Sequence, residues 1–408
     1  MLHGTFFWLT YRTVSFLRGV SHQMQMTNRK FGYLLLCLVT TLLTACGGSG
    51  GGTATGTTTA SSVYVANSGE NTISQYTIGS TGALTPKSPA TVSSIAGVLN
   101  STPSSVVVDP SGKYAYVANS GTDFISQFTV GSGGGLVPMN PPTVQSSLTA
   151  GTAPISVAVD PLGRYVYAAN NFDNTVALFT IGTGGKLTFV DTYPSGSGAP
   201  PGPTSIAVDP TGKYVYVANE NSNFISQYNI GTGGVLTPMA NATVATGTYP
   251  VSITIDTSGK YAYVANYDGT PGYSTISQYD IGKATAGELT PMSAPTAGGS
   301  GTALLLPTSI AIDPSGTHAY VAHGNGVYLF SIVNGALTDN MITKSISSGG
   351  TAPQSIAIDS TGSFVYVANK GDNTVSEFTV GTGGTLSNPT VISVGSTNSQ
   401  PYSITTSH

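Results

Sequence analysis

From residue 62 onward the apolar residues come in short bursts cut by Gly, Pro, Asn and Asp, and the bursts repeat. A Tyr-Val-Ala-Asn phrase stands at 64–67, 116–119, 167–170 (Tyr-Ala-Ala-Asn), 216–219, 263–266, 320–323 (ending in His) and 366–369. Before each copy but the first comes a Ser, an apolar triplet and an Asp, as in Ser156-Val157-Ala158-Val159-Asp160. After the copies come phrases such as Ile73-Ser74-Gln75-Tyr76 and Ile225-Ser226-Gln227-Tyr228, then a Leu-Thr-Pro type start at Leu84, Leu236 and Leu289. Short β-branched and aromatic runs bounded by turn residues predict strands, and no stretch of this region keeps a helical period. Each repeat therefore reads as four strands, A to D. Asp-Pro-Ser-Gly-Lys at 109–113 predicts a tight A–B turn, and the Gly-Thr-Gly-Gly runs at 182–185 and 231–234 predict C–D hairpins.

One four-stranded sheet cannot bury both of its faces, whereas a ring of such sheets buries each between two neighbours. Seven copies about 50 residues apart thus predict an all-β fold, a seven-bladed β-propeller of four-stranded antiparallel blades. The first repeat lacks strand A, and the chain ends Pro401-Tyr402-Ser403-Ile404-Thr405-Thr406, a strand A phrase with no strand B after it. The tail is expected to complete the first blade and close the ring, leaving no unpaired edge.

The chain ahead of the repeats reads as an address. Arg29 and Lys30 precede an apolar run to Leu43, too short to span a bilayer, and Leu43-Thr44-Ala45-Cys46 follows. The expected division is a signal peptide over 1–45, Cys46 with a Gly/Ser/Thr tether over 46–61, and one propeller domain over 62–408. Residues 1–23 read as an upstream extension, Met24 or Met26 starting a leader of normal length; the alternative is a long basic segment. The leader takes Cys37 and four of the thirteen bases, so the remainder carries nine bases against 17 acids and no thiol besides Cys46. Only 7% of the chain is charged, about a quarter being usual. Nucleic acid is not an expected partner, because that would need clustered cations and stacked aromatics.

Leu43-Thr44-Ala45-Cys46 resembles the lipobox of bacterial lipoproteins. That resemblance implies lipid attachment at Cys46 and an extracytoplasmic, membrane-anchored location. Gly47, which is not an Asp, points to the outer membrane in a Gram-negative cell. The Tyr-Val-Ala-Asn phrase with Asn71-Thr72-Ile73-Ser74 resembles the YVTN-type repeats, which overlap with the lactonase-like seven-bladed propellers that include 6-phosphogluconolactonases. This resemblance covers about 62–408. It implies the propeller fold and, as one function, hydrolysis of a lactone.

The B–C loops and the D-to-A crossovers (87–103, 139–153, 190–203 and 293–307) share one face, the expected binding face, because long irregular loops on a rigid scaffold carry function. Its loops carry Glu70, Asp123, Asp173, Glu220, Asp268 and Asp372, with Lys370 the one base clearly there. A phosphorylated substrate would need clustered Arg or Lys. Strand A begins with Ser104, Ile155, Thr204, Val251, Thr308, Gln354 and Tyr402, none of them charged or an imidazole. No catalytic residue carries over from the family. His323, Asp173, Glu220, Asp268 and Asp372 are the candidate binding residues. His323, in the place of the repeated Asn, reads as a turn cap or as a proton donor or cation ligand. His318 reads as an aromatic substitute.

The repeated Asp at 109, 160, 209, 256, 313 and 359 reads as a turn cap. No cofactor and no metal is expected. Calcium on loops such as Asn170-Asn171-Phe172-Asp173-Asn174 is a weak alternative, since it wants six to eight oxygens. The leading functional expectation is a binding or interaction scaffold acting through the loop face, with a protein, glycan or envelope polymer as partner. The alternative is a lactonase-like hydrolase of a neutral lactone, so catalysis is left open.

Overall fold

The computed structural model describes residues 61–196, 202–268, 274–297, 306–338 and 345–407. Cys46, its tether and His408 lie outside the described residues. Seven antiparallel sheets form the ring, and the repeats map onto them in the expected order. In blade 2, strand A is Pro103–Val108, B is Tyr114–Asn119, C is Phe124–Val130 and D is Leu136–Gln145. Blade 1 takes its strand A from the tail: Pro401–Thr406 pairs with Ser62–Asn67, Val65 opposite Ile404. The A strands of successive blades touch one another, so they line the central channel.

Between blades the packing is periodic. In blades 1 and 2, for example, Tyr64, Ala66 and Ile73 pack on Val106, Val117 and Phe128. Strand B is buried from its second residue to its last because both of its faces meet a neighbouring sheet. The strand B tyrosine is the longest side chain at this interface. Its hydroxyl crosses to the next blade and donates to a glycine carbonyl in the C–D turn. The bond recurs at all seven interfaces, from Tyr64 to Gly134, through Tyr116 to Gly185 and Tyr263 to Gly335, to Tyr366 and Gly82 across the closure. The acceptor must be glycine. At Gly335, φ is +79° and a Cβ would strike the Tyr261 ring; at Gly185 it would strike Tyr114. His318 fills this aromatic place against Gly384. Its Nδ1 lies 3.1 Å from Asp313 Oδ2.

A second set of bonds uses the Gln of the Ile-Ser-Gln-Tyr phrase. Gln75 Oε1 accepts from Leu136 N of the next blade (2.7 Å), while its Nε2 donates to Pro89 O of its own blade (2.9 Å). Gln127, Gln227 and Gln278 repeat both bonds. In blade 7 the place is held by Glu377, whose Oε1 accepts from Leu84 N at the closure. The A–B turn aspartates cap their turns: Asp109 Oδ1 accepts from Lys113 N and Tyr114 N, and Oδ2 from Ser111.

One feature differs from the sequence reading. Strand D runs further than its start phrase suggests, to Ser93, Gln145, Pro194 and Ala297. The crossovers expected from 87, 139, 190 and 293 are therefore shorter. Prolines within D are tolerated because D is the outer edge, where a missing N–H faces no partner. In blade 6 strand D is described in two parts, Ala336–Thr338 and Ser345–Ser347, which pair with the two ends of strand C (Gly326–Val333) in the register of the unbroken D strands elsewhere.

Candidate binding site at the channel mouth

The B–C loops and crossovers do share one face, because they are bonded to each other. Asn71 Oδ1 accepts from Thr102 N, and Asn373 Oδ1 accepts from Gln400 N. The channel opens on this face as a cavity of about 570 Å³. All seven residues expected to begin strand A line it, from Ser104 to Tyr402.

The wall has an ordered hydrogen-bond polarity. Ser104, Thr204 and Thr308 donate their hydroxyl protons to backbone carbonyls, including Pro154, Pro250 and Pro353 of the next blade. Their remaining lone pairs are acceptors. The serine that follows in six of the seven A strands does the opposite. Ser105, Ser156, Ser205, Ser309, Ser355 and Ser403 each accept a backbone N–H from the next blade. Their hydroxyl protons are thereby kept for donation. The channel thus presents a tier of acceptors and a tier of donors on rigid strands.

Titratable groups enter from the B–C loops. In three blades the residue directly after strand B reaches the channel mouth. Glu220, Tyr267 and Gly324, all in this register, line the cavity. Lys370 has the same register and lies with Nζ 4.9 Å from the Tyr402 ring centre. Glu220 opens a short 3-10 turn, Glu220–Ser222, and its N donates to Gly202 O at 2.9 Å. Burial pushes its carboxyl pKa up. Burial, then the Glu220 charge, pushes the Tyr402 phenol up. Among the cavity-lining residues Glu220 is the one formally charged side chain.

Of the five binding residues expected from sequence, only Glu220 lines the mouth. Asp173 accepts from Thr175 Oγ1 at 2.7 Å, and burial pushes its pKa up. Asp372 accepts from Thr374 Oγ1 and Thr351 N. Asp268 lies on the loop after Tyr267, its N donating to Ser274 Oγ. His323 is 2% exposed. Its ring stacks on Tyr328 at 3.9 Å, Nε2 lies 2.8 Å from Ser345 Oγ, and burial pushes its pKa down to about 4. Most of the asparagines elsewhere bond instead to a strand C serine, as Asn369 does to Ser376; in blade 6 Tyr328 holds that serine's place, and the His323 ring lies on it. Sequence reasoning singled out neither Tyr267 nor Lys370 as site residues; their register right after strand B is the signal that finds them. No group of three His, Cys, Asp or Glu among the described residues could hold a metal ion.

Fold and mouth together define a lactonase-like propeller. The family model for the lactonase seven-bladed β-propeller matches residues 41–306 and 306–399, and the chain belongs to that family. It is similar in structure to a putative 6-phosphogluconolactonase from Bacteroides fragilis, with 22% identity over 86% of this chain and 99% of that one and a TM-score of 0.68. It is also similar to a putative 6-phosphogluconolactonase from Bacteroides uniformis, at 19% identity, 85% and 99% coverage and a TM-score of 0.68. The periplasmic gluconolactonase PpgL of Pseudomonas aeruginosa aligns at 17% identity, with coverage of 85% and 99% and a TM-score of 0.67. At these identities the likeness concerns the fold. No curated protein matches the chain.

Proposed function

We propose that this protein is a binding propeller whose ligand, a neutral and hydroxyl-rich small molecule, enters the channel mouth on the loop face. One observation carries the reading: the mouth is walled by two tiers of hydroxyls of opposite hydrogen-bond polarity, with Glu220 as the one charged residue lining it and Lys370 over the Tyr402 ring beside it. A ligand whose hydroxyls both donate and accept matches such a wall. The volume falls in the usual range for small-molecule sites, about 300–1,000 Å³. A phosphate would meet a carboxylate and no clustered cation. The same proposal places the ring outside the cytoplasm on a lipid at Cys46, which the sequence over 29–46 supports.

A second reading is favoured by Glu220 and the family together. A carboxyl with a raised pKa at the mouth is suited to pass a proton during opening of a neutral lactone. Titration calorimetry with glucose, glucono-1,5-lactone and glucose 6-phosphate, run beside a lactone-hydrolysis assay, tests both. Binding of the neutral sugars with hydrolysis at the uncatalysed rate is expected for the binding propeller. Turnover that is lost in Glu220→Gln would establish the hydrolase instead. Preference for the phosphate would contradict both.

A further inference from the structure

Beyond the mouth, the loop face carries apolar side chains held out into solvent. Leu99, Leu148 and Phe172 are 85%, 89% and 74% exposed. They lie on neighbouring segments of blades 1 to 3. Leu99 is on the crossover into blade 2, Leu148 on the crossover into blade 3, and Phe172 on the B–C loop of blade 3. None of the three lines the mouth cavity.

These segments form one bonded row. Ser120 N and Gly121 N donate to Thr102 O and Ser101 O, which joins the first crossover to the blade 2 loop. Asp123 in that loop accepts from Gly151 N and Thr152 N of the second crossover, at 2.9 and 2.7 Å. Burial acts to raise the Asp123 pKa, but these bonds outweigh it and hold the pKa below the usual carboxylate value. Phe172 N donates to Thr152 O at 3.1 Å. Ser94 with Ser101 and Ser146 with Thr152 tie the feet of the two crossovers, each pair at 2.6 Å. The apolar side chains are therefore displayed on tied loops. Single exposed apolar residues are ordinary, but three this exposed on adjoining, mutually bonded loops form a row that one partner can cover.

Charge narrows the partner. The loops at 68–71, 120–123 and 171–174 and the crossovers at 94–102 and 146–153 contain Glu70, Asp123 and Asp173 and no Lys or Arg. Asp123 raises the pKa of Asp173 as a lesser cause after burial, so the two carboxylates feel each other. An anionic lipid surface would be repelled. A second copy would bring the same acids to the same place. We propose that this row is a docking site for a protein segment that is both cationic and apolar, such as a basic amphipathic helix. Its apolar side chains would cover Leu99, Leu148 and Phe172 while its Lys or Arg face the three carboxylates. Charge complementarity of this kind mainly sets encounter rate and selectivity, and the apolar anchors set the lifetime.

The test uses residues 47–408, which contain every strand of the closed ring, and three helical peptides: Leu/Lys, Leu/Glu and Ser/Lys. Fluorescence anisotropy should show saturable binding of the Leu/Lys peptide alone, weakening with added salt. The variant Leu99→Ser/Leu148→Ser/Phe172→Ser should weaken it by about tenfold or more, the effect of losing more than one apolar anchor. Asp173→Asn should weaken it less, and Leu162→Ser on the opposite face should not change it. Phe172→Ser alone, with an unchanged melting temperature, keeps the test readable should the triple variant fold poorly. The proposal is overturned if no peptide binds, if the Leu/Glu or Ser/Lys peptide binds as well, or if the triple variant binds normally. It is equally overturned if the three residues are needed for binding to anionic phospholipid vesicles.

Discussion

Replacing Glu377 by Gln should stabilise the ring at neutral pH. In blades 1, 2, 4 and 5 the equivalent Gln makes two bonds, one to the next blade and one to its own strand D. Glu377 keeps the first, at 3.0 Å from Leu84 N, but an ionised carboxylate has no proton with which to make the second. It is 9% exposed, and burial pushes its pKa above the usual glutamate value, the Leu84 bond only partly opposing this. A pKa raised by folding means that the protonated form is favoured in the native state. The contribution is then full below the unfolded pKa, about 4.5, and is lost as pH rises through the folded value. Glu377→Gln restores a donor and removes the buried charge. One recovered hydrogen bond is worth about 1 kcal/mol, which in a domain of this size raises the melting temperature by about 2 °C. The measurement is the difference in melting temperature between variant and parent at pH 7.5 and pH 4. Taking the difference cancels the titration of the other carboxylates. A gain at pH 7.5 that shrinks toward zero at pH 4 is expected. A variant less stable than the parent at pH 7.5, or an equal difference at both pH values, would refute the argument.

Three further outcomes follow from the same interfaces. His323, with its pKa lowered to about 4 by burial, costs stability as pH falls from about 6.5, where the unfolded imidazole begins to take up a proton; His323→Asn should flatten the pH-melting curve between pH 6.5 and 4. Tyr263→Phe leaves the Gly335 carbonyl without its buried donor and should cost about 1–3 kcal/mol by urea denaturation. Deleting 400–408 removes strand A of blade 1 and with it the closure between Val65 and Ile404. One cooperative transition at much lower temperature should be seen by calorimetry, and an unchanged melting temperature would contradict ring closure by the tail.

The ring was legible because its strands are written in repeated words. Seven strand B phrases count the blades, and the orphan strand A phrase at 401–406 announces the closure. The turn aspartates were legible for the same reason, since a residue needed at every turn is explained by the turn. His318 on Gly384 also sits where its neighbours' Tyr predict, while His323 ends strand B as the Asn do but meets Ser345 rather than a strand C serine. The mouth was half legible. The strand A residues that line it could be read off, but Glu220 could not be told from the other loop acids by composition. What separates it is one register position. Glu220, Tyr267 and Gly324, each first after strand B, line the channel, whereas Asp123, Asp173 and Asp372 stand later in their loops and accept bonds there. The bond polarity of the two hydroxyl tiers was not legible, because it depends on which backbone group of the next blade each oxygen meets. The Gln bonds between blades were hidden likewise: the phrase repeats, but its partner lies one blade away.

The most direct test of the account is a crystal structure of the ring soaked with glucono-1,5-lactone or glucose. The account predicts density in the mouth cavity, with ligand hydroxyls on Ser105, Ser156 and the other donor serines and on Ser104, Thr204 and Thr308, beside Glu220. Density only on the A–B turn face, or an empty mouth at saturating sugar in a crystal that admits it, would contradict the claim that this channel entrance is the ligand site.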